Sequence, residues 1–172
     1  WNNFDLTENV IFTTDWDEVK ANGPYEIILL YDVLDHADNP EEVLMKVVEV
    51  KRPENATIRL RCHPWSSSHG THLYKQLNKA YLQLIFTEDE IYGMGLQPLK
   101  TNKYSNPLES YRTMIKNSGL RILHEQPTIQ VIDGFFFQND TIKERLTATW
   151  SDNHDEVFRE LAQIQFVDYV LI

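Results

Sequence analysis

The sequence predicts a single α/β domain in which a mostly parallel sheet is flanked by helices. Residues 25–34 (YEIILLYDVL) form a nearly continuous apolar run, typical of a strand covered on both faces in a parallel sheet. Residues 39–42 (NPEE) are typical of a helix start, because asparagine is a good N-cap and proline is tolerated in the first turn. Residues 56–62 (ATIRLRC) alternate as a second strand. This order favours a right-handed parallel unit with residues 25–34 at the sheet centre.

The segments on either side of this unit predict further elements. Residues 9–16 (NVIFTTDW) are rich in β-branched and aromatic side chains and predict a first strand, followed by a short helical patch at 17–22. Residues 73–84 place leucine and aromatic side chains at helical spacing. Thr87 followed by three acidic residues predicts the capped start of another short helix.

The second half of the chain predicts a loop, a helix and two strands. Residues 93–107 are the most loop-like part of the chain, and a helix from about 108 to 117 should end at Gly119. Residues 121–131 and 164–172 have the composition of strands.

Composition and charge limit the classes of function. The formal net charge of −10 argues against nonspecific binding to nucleic acid or anionic membranes, because both need clustered lysine and arginine. A small neutral or cationic partner fits better. No apolar run approaches the ~18 residues of a membrane span, so we expect a cytoplasmic protein. The single cysteine, Cys62, excludes a disulfide within one copy of the chain.

Three of the six histidines lie within residues 61–72 (RCHPWSSSHGTH). Their spacing matches no standard zinc ligand set, so we expect no metal. A neutral imidazole can accept a proton from an attacking hydroxyl or amine, which makes His63, His69 and the nearby His36 candidate general bases. The alternative is that the imidazoles only form hydrogen bonds with the backbone of a loop rich in serine and glycine.

Residues 25–62 also resemble a known family. The segments D-V-L-D-H at 32–36 and N-P-E-E at 39–42, followed by a strand, are similar to the second half of class I S-adenosylmethionine-dependent methyltransferases. The similarity extends over roughly residues 9–131. It implies a Rossmann-like sheet closed by an antiparallel pair formed by residues 121–131 and 164–172. It also implies transfer of a methyl group from S-adenosylmethionine to a small-molecule acceptor.

The resemblance suggests roles for individual residues. In that family an acidic residue and an apolar neighbour after the third strand bind adenine, and Asp15 and Trp16 hold those places. Asp32 would contact the cofactor, and Asp35 would orient the substrate or the cofactor. Residues placed to contact the substrate are Trp65, His72 and Tyr74. The alternatives are a surface Asp15 before a helix, an Asp35 that only caps its loop, and a Trp65 packed in its loop. Phe135, Phe136 and Phe137 are expected in a core or an interface.

One departure from the family concerns the cofactor loop. The six glycines form no glycine-rich turn after a strand, and Gly93 and Gly95 follow a helix instead. We therefore expect a single methyltransferase-like domain that lacks its N-terminal strands. The alternative is a non-catalytic binding or structural module on the same scaffold. In either case residues 9–16 should pair with residues 25–34, or else preceding residues or a second copy should cover that sheet edge.

Overall fold

The structure, a computed structural model, describes residues 10–104, 106–130, 138–149 and 162–172. The predicted apolar cluster at Phe135–Phe137 lies outside these residues. In chain order the elements are α1 (Trp16–Ala21), β1 (Ile27–Tyr31), α2 (Pro40–Val50), β2 (Thr57–Cys62), α3 (Tyr74–Leu77), α4 (Leu82–Ile85), α5 (Glu88–Gly93), α6 (Pro107–Asn117), β3 (Ile122–Ile129), α7 (Asp140–Thr149) and β4 (Ile164–Leu171). Within the described chain, every helix is too short or too polar to span a bilayer.

The fold is a mixed α/β arrangement around a four-stranded sheet of order β1-β2-β4-β3 in the described residues. β1 and β2 are parallel, as predicted, and Tyr31 lies opposite Arg61. β4 is antiparallel to both β2 and β3. The described sheet is therefore mixed rather than mostly parallel, whereas the predicted antiparallel pair of residues 121–131 and 164–172 is present as β3 and β4. The last strand of the chain enters between β2 and β3 and runs against both of them.

Local sequence signals correctly predicted two helix starts and one helix end. The side chain of Asn39 accepts a hydrogen bond from the Glu42 N–H at 3.2 Å, and α2 begins at Pro40. Thr87 and Glu90 form a reciprocal capping box at α5. The predicted helix near residues 108–117 is α6, which is followed by Gly119 with a φ of 81°. Side-chain caps satisfy N–H groups that lack partners within the helix, so these signals depend on few distant contacts.

Two predicted elements differ from the structure. Residues 10–15 form no strand, because the Asp15 N–H binds the Thr13 hydroxyl and the Asp15 carboxylate caps α1. These local bonds compete with pairing to a neighbouring strand. The single helix predicted over residues 73–84 is divided into α3 and α4. Asn78 and Tyr81 adopt left-handed backbone conformations between them, with φ of 49° and 62°.

The main core lies on one face of the sheet. The inward side chains of β2, all fully buried, are Ile58, Leu60 and Cys62. They pack with apolar side chains of α2 and α6. β1 was predicted at the sheet centre with both faces covered, and both expectations are wrong. Among the described residues it is an edge strand, and Ile27, Leu29 and Tyr31 are 67%, 58% and 49% exposed because the helices α2 and α6 pack on the opposite face.

A charged pair joins β2 to β4. Arg61 lies opposite Asp168 in the strand register, and its guanidinium donates two hydrogen bonds to the carboxylate at 2.8 and 2.9 Å. The guanidinium also lies 4.1 Å from the centre of the Phe166 ring. Such forked pairs are directional, so this contact favours the observed register just before the carboxyl end of β2.

Candidate functional site

The candidate site lies where the parallel strands β1 and β2 end. Asp32 directly follows β1 and His63 directly follows β2, and the two strands end side by side. The Asp32 N–H donates to the Arg61 carbonyl at 3.0 Å, and Asp32 has a φ of 57°. Open α/β sheets bind ligands at this edge, beyond the carboxyl ends of the strands.

Both ring nitrogens of His63 face oxygen atoms. Nδ1 lies 3.0 Å from the Gln165 carbonyl of β4, and Nε2 lies 3.1 Å from Oδ1 of Asp32. A carbonyl and a carboxylate both accept hydrogen bonds, so the imidazole makes both contacts only when both nitrogens carry protons. The contact with Gln165 fixes the ring, whereas the Asp32 side chain is 45% exposed and is the more replaceable partner.

Asp35 brings a buried carboxyl group next to His63. Its side chain is 0% exposed, and this burial raises its pKa. One oxygen, Oδ2, accepts a long hydrogen bond from the His63 N–H at 3.4 Å and lies 3.5 Å from Nε2 of His36. The other oxygen, Oδ1, is buried and has no hydrogen-bond partner in the described part of the chain. An unsatisfied buried polar atom is costly, which makes Oδ1 a candidate ligand contact.

His36 links this carboxyl group to a distant loop. Its Nδ1–H donates to the Lys100 carbonyl, which leaves Nε2 facing Asp35. At 3.5 Å the contact is close enough for attraction between charges but long for a hydrogen bond. The His36 ring also makes an edge contact with the His72 ring, with 5.2 Å between centroids.

His69 and His72 are held by side chains of their surroundings. Nδ1 of His69 accepts a hydrogen bond from the Gln165 amide at 3.3 Å, and its ring packs on Tyr74 with centroids 4.2 Å apart. Nδ1 of His72 lies 3.5 Å from the Lys75 ammonium. Burial is the main cause that lowers the pKa of both histidines, so both are neutral at pH 7.

The structure thus brings together most of the residues that the sequence singled out. Direct contacts connect His36, His63, His69 and His72 with Asp32, Asp35 and Tyr74. Among the described residues, no three histidine, cysteine, aspartate or glutamate side chains are placed to hold one metal ion. The contacts seen within the cluster are hydrogen bonds, ion pairs and ring contacts.

Asp15 and Trp16, the two residues assigned to adenine, differ from each other in exposure and in hydrogen bonding. Asp15 is exposed, and its carboxylate accepts a hydrogen bond from the Asp17 N–H at 2.9 Å as the N-cap of α1. Trp16 is partly buried, and none of the described residues forms a hydrogen bond with its indole nitrogen. The other end of α1 lies near the start of β1, because the Tyr25 hydroxyl donates to the Val19 carbonyl. The adenine assignment remains a prediction.

Trp65 lies beside the cluster and lines a pocket of about 560 Å³. The ammonium of Lys103 lies 4.5 Å from the centre of its ring. The pocket lining also includes Thr71, which separates His69 from His72 along the chain. The pocket is therefore adjacent to the histidine loop.

Sequence reasoning missed several residues that hold the site together. Gln165 binds His63 through its carbonyl and His69 through its amide. The side chain of Asn102 donates to the carbonyls of Leu34 and Ala37, at 3.1 and 2.8 Å. Gln165 and Asn102 are far from their partners in sequence, and we find no local pattern that marks them.

Comparison with known proteins gives only distant similarities. No protein-family model and no curated protein sequence matches the chain. One similar solved structure is the complex between the Haloferax volcanii Trm112 methyltransferase activator and a methyltransferase, with 10% identity and a TM-score of 0.42. The match covers 86% of this chain but 53% of that one, so this chain spans about half its length. A second is a SAM-dependent methyltransferase from Archaeoglobus fulgidus, with 14% identity, a TM-score of 0.46, and coverage of 98% and 69% of the two chains.

Proposed function

We propose that this chain is the substrate-side part of a methyltransferase that transfers a methyl group from S-adenosylmethionine to a small-molecule acceptor. The observation that carries the proposal is the cluster of His63, Asp32 and Asp35 at the carboxyl ends of two parallel strands. Ligands bind at this edge in open α/β sheets. The resemblance of residues 25–62 to the methyltransferase family supplies the reaction type.

The residues present fit part of the cofactor. S-adenosylmethionine carries a positively charged sulfonium, which supplies the reactive methyl group, and an ammonium. The carboxylate of Asp32 and the unpartnered Oδ1 of Asp35 suit such cationic groups. Asp15 and Trp16 are the proposed adenine contacts. The glycine-rich turn is absent from these 172 residues, so we propose that N-terminal strands of the complete protein provide it.

His63 is the best-supported general base of the three candidates. The Gln165 carbonyl holds a proton on Nδ1, so the basic lone pair of the neutral ring lies on Nε2. This nitrogen becomes available when the exposed carboxylate of Asp32 turns to another partner. His69 is less suitable, because its accepting nitrogen is occupied by the Gln165 amide. His36 is less suitable because its second nitrogen faces the buried Asp35.

A non-catalytic binding module is the second candidate function. The observation that favours it is the contact of His63 Nε2 with Asp32, which uses the nitrogen that a general base needs. In this case the cluster would stabilise the loops beyond the sheet or bind a ligand without a reaction. Catalysis can be distinguished from binding by variants that change turnover without changing affinity.

The test uses the complete protein and the variant His63→Gln. We expect turnover to fall about 10²- to 10⁴-fold while affinity for S-adenosylhomocysteine, measured by calorimetry, changes little. His124→Gln is the matched control, because His124 is exposed on β3. Unchanged turnover in His63→Gln would exclude His63 as the base. Failure of the complete protein to bind S-adenosylhomocysteine would favour the binding module.

A further inference from the structure

The pocket beside the histidine loop has a mixed apolar and cationic lining. It encloses about 560 Å³, within the roughly 300–1,000 Å³ typical of small-molecule sites. Trp65, Phe86 and Tyr92 contribute aromatic surface, and Ile91 and Leu99 contribute aliphatic surface. Such surface suits a planar apolar group, because aromatic rings pack well against one another.

One lining side chain is a buried hydroxyl group without a partner. Thr71 is 5% exposed, and its Oγ1 has no hydrogen-bond partner among the residues that the structure describes. The backbone around it is held in place, since the Leu99 N–H donates to the Thr71 carbonyl at 2.9 Å. A buried polar atom left unsatisfied is unfavourable, and a polar group of a bound ligand would satisfy it.

The charged groups of the lining favour an anion. Lys100 and Lys103 contribute two positive charges, and Glu88 contributes one negative charge, in a chain with a net charge of −10. Lys100 also pairs with Asp38, but the two side chains are 68% and 87% exposed. Exposed ion pairs contribute little, so an anionic ligand can compete for this lysine.

We propose that this pocket binds an aromatic carboxylate. The ring packs against Trp65 and the other apolar walls, the carboxylate pairs with Lys103 and Lys100, and one carboxylate oxygen accepts a hydrogen bond from the Thr71 hydroxyl. This inference goes beyond methyl transfer and does not depend on it, because it concerns binding alone. Its test is therefore independent of turnover and of S-adenosylmethionine.

The experiment is calorimetry of the 172-residue chain with 1-naphthoate and with its neutral analogue 1-naphthamide. We expect 1-naphthoate to bind about tenfold more tightly at low salt, with a preference that decreases as salt screens the lysines. No binding of 1-naphthoate at millimolar concentration would overturn the proposal. Equal affinity for the two compounds would also overturn it.

Paired variants locate the binding site. Lys103→Gln should remove most of the preference for the acid, whereas Lys116→Gln, an exposed control on α6, should leave it unchanged. Thr71→Val keeps the side-chain shape and should weaken binding about tenfold without lowering the melting temperature. Thr113→Val is its exposed control on α6. If Lys103→Gln or Thr71→Val changes the affinity for 1-naphthoate no more than its control does, the compound binds elsewhere.

Discussion

Replacing Asp35 with asparagine should make the protein more stable at neutral pH. The Asp35 side chain is 0% exposed, and burial raises the pKa of its carboxyl group. The main partners of its charge are long contacts with the His63 N–H at 3.4 Å and with His36 at 3.5 Å, and Oδ1 has no partner. Asparagine has nearly the same shape and can still accept from the His63 N–H, but it carries no charge.

The size and sign of this effect follow from the protonation of the two states. The folded state holds the Asp35 proton more tightly than the unfolded state, whose pKa is about 3.9. Wild-type stability therefore falls as pH rises from about 4 through the folded pKa, and the loss persists above it. Burying an ionised carboxyl group costs more than burying a neutral amide of the same shape, and single substitutions typically change stability by about 0.5–3 kcal/mol. We expect Asp35→Asn to gain about 1–2 kcal/mol at pH 7, or about 2–8 °C in Tm for a chain of this size.

Urea unfolding between pH 3.5 and 8 measures the difference directly. The gain in Asp35→Asn should decrease towards zero as pH falls below the unfolded pKa of about 3.9, because the carboxyl group is then protonated in both states. Asp38→Asn is the control, because a hydrogen bond from Lys100 lowers the pKa of the exposed Asp38. Asp38→Asn should lose stability at neutral pH, where Asp35→Asn gains it, and this loss should disappear as pH falls. A pH-independent difference, or a loss of stability in Asp35→Asn at pH 7, would refute the argument.

Two further predictions concern the histidine loop and the open sheet edge. Burial lowers the pKa of His69 and His72, so below pH ~6.5 the folded state binds fewer protons than the unfolded state. The free energy of unfolding should therefore decrease as pH falls from about 6.5 through the lowered pKa values. In urea titrations the double variant His69→Gln/His72→Gln should reduce the slope of stability against pH, by at most about 1.4 kcal/mol per pH unit for each histidine. An unchanged slope would contradict this prediction. If a second copy covers the β1 edge, sedimentation should show association of the chain, and Leu29→Lys in β1 should abolish it. Met45→Lys changes an exposed residue of α2 and should leave the association unchanged. Equal behaviour of both variants would exclude this edge as the contact.

Much of the fold was predictable from local signals. The start of α2 at Pro40, the capping box of α5 and the stop of α6 before Gly119 all depend on residues close in sequence. The strand character of β1 and β2 also follows from composition. The position of β1 at an edge of the described sheet was not predictable, because an apolar strand can have the same sequence at a sheet centre and at a sheet edge.

The sequence identified the residues of the candidate site better than it identified their roles. The histidine-rich loop and the carboxylates after β1 were identifiable as residues that follow parallel strands. Which ring nitrogen of a histidine donates a hydrogen bond depends on partners from distant parts of the chain. The Gln165 carbonyl fixes the proton of His63, and the Lys100 carbonyl does the same for His36. No periodicity or motif indicates such backbone partners.

The sequence by itself determined the α/β class, the parallel β1–α2–β2 unit and the set of titratable side chains beyond its strands. Capping, periodicity and chain order act over a few residues, so they can be recognised without the rest of the molecule. Only the tertiary structure decided that the β4 strand inserts next to β2, that residues 10–15 leave the β1 edge open, and that Asp35 is buried beside His63. These features depend on contacts between segments far apart in sequence, where burial and distance set the energy of each charge.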